Sequence, residues 1–157
     1  MIGFLLDTNH VGPLAHKESR IVSRLSAQPP DTQIRICAIT LGEIAASRDT
    51  TTTTNQQRRD EEDAYIKAYL LPHLLPISNW TGIYYAQLIG RLAQKFPKPS
   101  RGTRTEYDLA TRLGIDINDV WIVASAWEHK LTLLTTDKMD CIRQVVNNNE
   151  VSFDSWL

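Results

Sequence analysis

The hydrophobic pattern of the chain alternates between short apolar runs and longer segments with helical spacing. Short apolar runs occupy residues 2–6, 34–39 and 131–134, and each is bounded by polar or turn-forming residues. Runs of this length predict buried strands. A weaker run at 74–77 predicts another short strand, and a small edge strand is expected near Val151. Strands that alternate with helices in this way predict an α/β fold around a mainly parallel sheet.

The segments between these runs predict the helices. Amphipathic spacing and cap residues place helices over about 13–27 (as one or two), from Thr40 onward, and over 56–71, 79–96, 105–113, 120–130 and 138–147. Asn118 or Asp119 is the expected N-cap of the helix over 120–130, because both residue types favour that position. Gly114 stands where a left-handed residue usually ends a helix. The threonine tract at 50–54 is expected to form a turn.

Four acidic residues fall where predicted strands end or predicted helices begin. Asp7 and Asp137 follow strand runs, whereas Glu43 and Asp119 lie near helix starts. The carboxyl ends of parallel strands share one edge of a sheet, and ligands bind at that edge. Carboxylates gathered there repel one another and raise each other's pKa unless a cation lies among them. The pattern therefore predicts a divalent-metal site.

The chemistry of such a site can also be predicted. Mg²⁺ and Mn²⁺ prefer oxygen ligands, so four carboxylates suit one or two of these ions. Two ions about 4 Å apart can activate a water and stabilise the leaving oxygen in phosphodiester hydrolysis. This reaction needs no nucleophilic side chain, and the sequence offers no obvious one.

Each acid also has a structural interpretation. Thr40 and Glu43 have the spacing of a capping box, and Asp119 and Asp137 could be simple N-caps. Asp7 is harder to explain in this way, because an unpaired charge half-buried at a sheet edge is costly. We favour a functional site because four independent caps have no reason to fall on the same edge.

The composition is that of an ordinary globular protein. The 157 residues suit a single domain over 1–157, and 42% hydrophobic with 22% charged residues is typical of soluble proteins. The longest apolar runs are far shorter than the roughly 20 residues that span a bilayer. The first residues lack the features of a secretion signal, so a cytoplasmic location is expected.

Charge, cysteine and histidine add little to this picture. The formal net charge of −1 argues against a protein that coats nucleic acid through bulk charge. A basic stretch from Arg91 to Arg104 could contact phosphates or be a solvated loop. The two cysteines and four histidines have no spacing typical of a zinc site, and the histidines are expected to be structural or exposed.

These motifs resemble those of PIN domains, and most closely the VapC-type toxins of bacterial toxin–antitoxin pairs. The matching pieces, in order, are FLLDTN, AITLGEI, INDVWIVASA and LTLLTTD, followed by the segment from Val151 to Trp156. The resemblance implies a three-layer α/β/α sandwich and an endoribonuclease that depends on Mg²⁺ or Mn²⁺. It also implies an RNA substrate, a cognate antitoxin and a homodimer.

The resemblance implies roles for individual residues. Asp7, Asp119 and Asp137 would be direct metal ligands, and Glu43 would hold a metal-bound water. Thr8 could bond a neighbouring carboxylate. The secondary candidates are Thr136, Asp140 and Asp116, the last as the main competitor of Asp119. The threonine tract and an expanded segment over 95–114 depart from a compact VapC pattern.

Two other functions compete with this interpretation. A phosphatase of the haloacid-dehalogenase type also begins with a strand that ends in Asp, but it needs a second Asp two positions later, where this chain has Asn9. A non-catalytic PIN-like module could bind RNA or a partner protein while its acids serve as caps. Within the enzyme interpretation, structured RNA and single-stranded DNA remain possible substrates.

Overall fold

A parallel sheet forms the centre of the protein. The computed structural model describes residues 3–50, 55–97 and 106–157, and within them the strands lie in the order β2-β1-β3-β4. The strands are β1 Gly3–Leu6, β2 Gln33–Arg35, β3 Thr132–Leu134 and β4 Phe153–Asp154. All pairs are parallel, and Phe4 of β1 lies opposite both Ile34 and Thr132. The carboxyl ends of β1 and β3 are therefore neighbours.

Helices cover both faces of this sheet. In the described residues the α-helices are α1 Thr8–Ala15, α2 Ser19–Ser26, α3 Ala38–Thr50, α4 Gln56–Tyr65, α5 Asn79–Lys95, α6 Glu106–Leu113, α7 Ile117–His129 and α8 Asp140–Arg143. Helix α4 continues through a π-helical turn at Ile66–Leu70 and ends in a 3₁₀ turn at Leu71–His73. None of these helices is long and apolar enough to cross a lipid bilayer.

The side chains of the strands alternate between two hydrophobic cores. Leu5 and Leu133 belong to a first core, which α5, α6, α7 and α8 cover. Leu6 and Leu134 belong to a second core, which α1, α2, α3 and the π-helical turn cover. Successive residues of a strand face opposite sides, so a sheet buried on both sides needs apolar residues throughout. The expected three-layer α/β/α sandwich is confirmed.

Some element boundaries differ from the sequence prediction. The apolar run over 34–39 is not one strand, because β2 ends at Arg35 and α3 already begins at Ala38. The run over 74–77 contributes a single bridge, in which Leu75 pairs with Cys37. An apolar run alone does not separate a buried strand from the buried start of a helix.

Other boundaries were closer to the prediction. Ser78, not Asn79, is the N-cap of α5, and its hydroxyl accepts the N–H of Thr81 at 3.2 Å. Gly114 has the expected left-handed backbone, with φ of 63°. The last helix is shorter than the predicted 138–147. Residues 51–54 of the threonine tract lie outside the described residues, as do residues 98–104 of the basic stretch.

Trp156 closes the second core. Its side chain is 1% exposed, and its ring lies edge-on to that of Phe4 with the centroids 4.7 Å apart. The indole N–H donates to the Asp154 carboxylate at 3.2 Å, so the polar atom of the buried ring is satisfied. The segment after β4 is thus packed against the centre of the sheet.

We predict that Trp156→Ala lowers the free energy of unfolding by about 3–5 kcal/mol, because it leaves a cavity beneath the sheet. Chemical denaturation would measure this loss. Trp80→Ala is the matched control: Trp80 is 62% exposed, and a surface change of this kind costs within about 0.5 kcal/mol. Equal losses in the two variants would contradict the assigned packing of Trp156.

Candidate metal centre

Asp7 lies at the carboxyl end of β1 and is 3% exposed. One carboxylate oxygen, Oδ1, accepts the N–H of Thr8 at 2.7 Å and so caps α1. The other oxygen, Oδ2, accepts the hydroxyl of Thr135 at 2.6 Å and the amide of Asn9 at 3.3 Å. Asp7 therefore combines a capping role with a place at the edge of the sheet.

Asp137 lies in the loop that follows β3. Its backbone N–H donates to the Thr135 hydroxyl at 3.0 Å, and its Oδ2 accepts the Asn9 amide at 3.1 Å. The same amide thus contacts both Asp7 and Asp137. The N-cap interpretation of Asp137 is wrong, because α8 begins only at Asp140.

Glu43 reaches the same edge from α3. One of its oxygens accepts the Thr8 hydroxyl, and the other accepts the side-chain amide of Asn118 at 2.8 Å. The capping-box interpretation is wrong, because Thr40 lies inside the first turn of α3. The Thr40 side chain is fully buried, and its hydroxyl donates to the backbone carbonyl of Leu6 at 3.3 Å.

Asp119 lies in the first turn of α7 and is not its N-cap. The N-cap is Asp116, whose carboxylate accepts the N–H of Asn118 at 2.9 Å. Neither Asn118 nor Asp119 therefore has the capping role predicted for it. Asp116, the competitor of Asp119, is exposed and uses its carboxylate in the cap. The side chain of Asp119 remains available for another role.

The acids at this edge act on one another electrostatically. Burial and the charges of surrounding carboxylates raise the pKa of Asp119 to about 7; those carboxylates are Asp7, Asp116, Asp137 and Glu43. Burial also raises the pKa of Asp7, against the lowering effect of its hydrogen bonds, and Asp137 and Glu43 raise it further. Among the described residues, the charges that shift these two pKa values all belong to other acids.

The four predicted acids suit a hard divalent cation in their donor chemistry and charge. All of their donor atoms are carboxylate oxygens, which Mg²⁺ and Mn²⁺ prefer. Burial is the main cause of the raised pKa of Asp7 and Asp119, and a cation would relieve the repulsion that adds to it. In the described residues, however, no three His, Cys, Asp or Glu side chains form a ready group of ligands. The fit therefore concerns donor type and charge, not a complete coordination shell.

The secondary candidates differ in position. Thr136 is exposed and contributes its backbone N–H, which donates to Asn9 Oδ1 at 3.3 Å. Asp140 is exposed on α8 and acts electrostatically on Arg143. It is not among the charges that shift the pKa of Asp7 or Asp119.

Arg91, the first residue of the basic stretch, is engaged within the protein. Both terminal nitrogens of Arg91 donate to the Glu150 carboxylate, at 2.7 and 2.8 Å. Its guanidinium carbon also lies 4.7 Å from the ring centroid of Trp127. Arg91 thus has a structural role, and the hypothesis of phosphate contacts now concerns mainly residues outside the described ranges.

Sequence analysis missed the neutral side chains that hold the acids. Asn118 and Thr135 each donate a hydrogen bond to one of the four carboxylates, and Asn9 donates to two of them. Asn118 precedes a predicted acid directly, and Asn9 and Thr135 lie two positions from one. A search for donors near each acid would have found them. His10 was expected to be structural or exposed; it is fully buried and contacts Asn9.

Comparison with known proteins identifies the fold. No protein-family model matches the chain, and no curated protein matches it. Among solved structures, a chain of VapBC2 from Rickettsia felis bound to a promoter DNA fragment matches with a TM-score of 0.70 and 18% identity, over 99% of this chain and 100% of that chain. DNA-bound VapBC from Salmonella typhimurium matches with a TM-score of 0.65 and 17% identity, over 100% of both chains.

A third structure extends the same likeness. VapBC-5 from Mycobacterium tuberculosis matches with a TM-score of 0.59 and 21% identity, over 99% of both chains. The protein therefore has the α/β fold of these VapBC structures. More specifically, these solved structures are VapBC complexes, and the one from Mycobacterium tuberculosis is a member of the VapBC family of toxin–antitoxin systems. At identities near 20% this similarity establishes the fold.

We predict that Asp119→Asn changes the pH dependence of stability in the metal-free protein. The folded pKa of Asp119 is raised to about 7. The stability that its protonated carboxyl contributes is therefore fully present below the unfolded pKa and is lost as pH rises towards 7. Asp119→Asn should therefore gain stability relative to the parent between about pH 5 and about pH 7.5, by less than about 1.4 kcal/mol per pH unit.

The variant must be compared with the parent at each pH, because another group acts in the opposite direction. Burial lowers the pKa of His10 to about 4, so its contribution is lost as pH falls. Denaturation of the parent and of the variant in the presence of EDTA, at about pH 5 and at about pH 7.5, would provide the four free energies of unfolding. A difference between variant and parent that stays constant with pH would contradict the raised pKa.

Proposed function

We propose that the protein is an endoribonuclease that depends on Mg²⁺ or Mn²⁺ and acts as the toxin of a type II toxin–antitoxin pair. The observation that carries this proposal is that four carboxylates lie close enough at one sheet edge to act on one another electrostatically. They come from four separate places in the chain: the end of β1, α3, α7 and the loop after β3. Of these, only Asp7 serves as a helix cap.

The proposed roles follow from the chemistry of the acids. Asp7, Asp119 and Asp137 would hold the cation, and Glu43 would orient the attacking water. A bound divalent cation would help to ionise that water and would stabilise the leaving oxygen of the phosphodiester. The protein's neutral donors, such as Thr8, hold the carboxylates in place without cancelling their charge.

The proposed partner is supported by the kind of complexes that share this fold. The similar structures are VapBC toxin–antitoxin complexes, and their chains are matched over nearly their whole length. We propose that this chain likewise has a cognate antitoxin, and that it forms a homodimer. A non-catalytic module that binds RNA or protein is the alternative, and a cleavage assay separates the two.

We predict that the purified protein cleaves single-stranded RNA in Mg²⁺ or Mn²⁺, and that Asp7→Asn and Asp119→Asn each reduce the rate by about 100-fold or more. Loss of a ligand to a catalytic cation removes several kcal/mol of transition-state stabilisation. Asp31→Asn is the control, because Asp31 is exposed, precedes β2 and is not among the charges that act on Asp7 or Asp119. Gel analysis of a labelled RNA would measure the rates.

Three outcomes would count against the proposed endoribonuclease activity. Full activity in EDTA would exclude the metal-dependent mechanism. Equal activity of the parent and both active-site variants would remove the acids from the mechanism. RNA binding without cleavage, with the same affinity in the parent and in Asp7→Asn, would favour the non-catalytic module.

We further predict that Mn²⁺ raises the melting temperature of the parent protein, and raises that of Asp7→Asn less. A ligand that binds only the folded state stabilises it by about 2.7 kcal/mol at a concentration 100 times its Kd. Differential scanning fluorimetry would measure both shifts, with Asp31→Asn as the control that shifts like the parent. Equal shifts in Asp7→Asn and the parent would exclude Asp7 as a ligand.

A further inference from the structure

The side chain of Asn9 connects the two acids that follow strands. Its Nδ2 donates to Oδ2 of Asp7 at 3.3 Å and to Oδ2 of Asp137 at 3.1 Å. Its Oδ1 lies 2.6 Å from Nδ1 of His10 and accepts the backbone N–H of Thr136 at 3.3 Å. Every donor and acceptor position of this amide is therefore used.

Only one orientation of the Asn9 amide satisfies these neighbours. In the reversed orientation, Oδ1 would face the two carboxylates and the NH₂ group would face the N–H of Thr136. Acceptors would then meet acceptors and donors would meet donors. At the oxygen end of the amide, His10 fixes this orientation together with the N–H of Thr136, and the contact with His10 is the shorter of the two.

The neighbours of His10 define which ring nitrogen carries the proton. The backbone N–H of Trp156 donates to Nε2 at 3.2 Å, so Nε2 is the acceptor. A neutral imidazole then carries its proton on Nδ1, which faces Asn9 Oδ1. The ring is fully buried, and burial favours the neutral form. Nδ1–H therefore donates to Asn9.

We propose that His10 is a positioning residue for the candidate metal centre: its Nδ1–H fixes the amide of Asn9, and that amide holds Asp7 and Asp137 together. The inference rests on the proposed function, because it takes both acids as ligands. Two carboxylates that repel each other are held side by side by a neutral donor, so their charge remains available to a cation. Partners behind metal ligands typically change metal affinity by about 10-fold to 100-fold.

Two substitutions separate this role from simple packing. His10→Asn places an amide donor near the position of Nδ1, so it can keep the bond to Asn9 while losing the bond from Trp156. His10→Gln places an acceptor near the position of Nε2, so it can keep the bond from Trp156 while losing the bond to Asn9. Each variant thus keeps one of the two hydrogen bonds of the His10 ring and loses the other.

The experiment measures Mn²⁺ affinity by isothermal titration calorimetry and the melting temperature without metal. We expect His10→Gln to bind Mn²⁺ about 10-fold to 100-fold more weakly. His10→Asn should stay within about three-fold of the parent, although it melts at a lower temperature than His10→Gln. The two variants would then rank in opposite order in the two measurements. His73→Gln, a change at an exposed histidine, should match the parent in both.

A second measurement covers the case in which both His10 variants fail to fold. Asn9→Leu removes the bridging amide while leaving His10 and Trp156 in place, and it should also weaken Mn²⁺ binding by about 10-fold to 100-fold. If His10→Gln does fold, adding it to Asn9→Leu should have no further effect on Mn²⁺ affinity, because its effect passes through Asn9.

The outcomes distinguish this inference from the proposed function. The positioning role alone would be overturned if the His10 variant with the lower melting temperature also bound Mn²⁺ more weakly. It would also be overturned if Asn9→Leu bound Mn²⁺ as tightly as the parent. A parent protein that binds no Mn²⁺ would overturn the proposed function and the positioning role together.

Discussion

The cost of burying a carboxylate beside other carboxylates is the constraint on which the site depends. Asp7 is almost completely removed from water, and the charges of Asp137 and Glu43 add to the cost of ionising it. A protein can offset such a cost with basic side chains or with neutral donors. Here the donors to Asp7 are a backbone N–H, the Thr135 hydroxyl and the Asn9 amide. Because these donors carry no charge, they satisfy the oxygens and leave the negative charge of the edge intact.

The fold positions these groups through the pairing of β1 with β3. Leu6 lies opposite Leu134, and the N–H of Asp7 donates to the carbonyl of Leu134 at 3.0 Å, which extends the parallel ladder by one residue. The loop after β3 therefore begins beside Asp7. Both strands are fixed by cores on each face, so the separation of the two loops depends on packing on both sides of the sheet. Helix α7 packs against the first core through buried residues that include Val120 and Val123. This packing fixes the position of Asp119 in the first turn of the helix.

The sequence predicted what depends on local pattern and missed what depends on contacts between distant residues. Asp7 and Asp137 were placed at strand ends because their strands are short apolar runs, and that signal is local. The cap of α7 was misplaced because several good N-cap residues stand together in Asp116–Asp119, and tertiary packing decides which of them begins the helix. The link from Trp156 through His10 to Asn9 spans nearly the whole chain, so no periodicity of the sequence could reveal it.

The two central acids differ in what an amide would do in their place. Asp7 accepts donors on both oxygens, so an asparagine there would turn an NH₂ group towards at least one donor, either the Thr8 N–H or the Thr135 hydroxyl and Asn9 amide. Loss of charge at Asp7 is therefore combined with loss of hydrogen bonds that hold the edge together. Asp119 has no capping role, and its pKa is raised chiefly by burial. An amide at residue 119 removes a charge that the metal-free protein holds at a cost, so lost function there can be attributed to the charge itself.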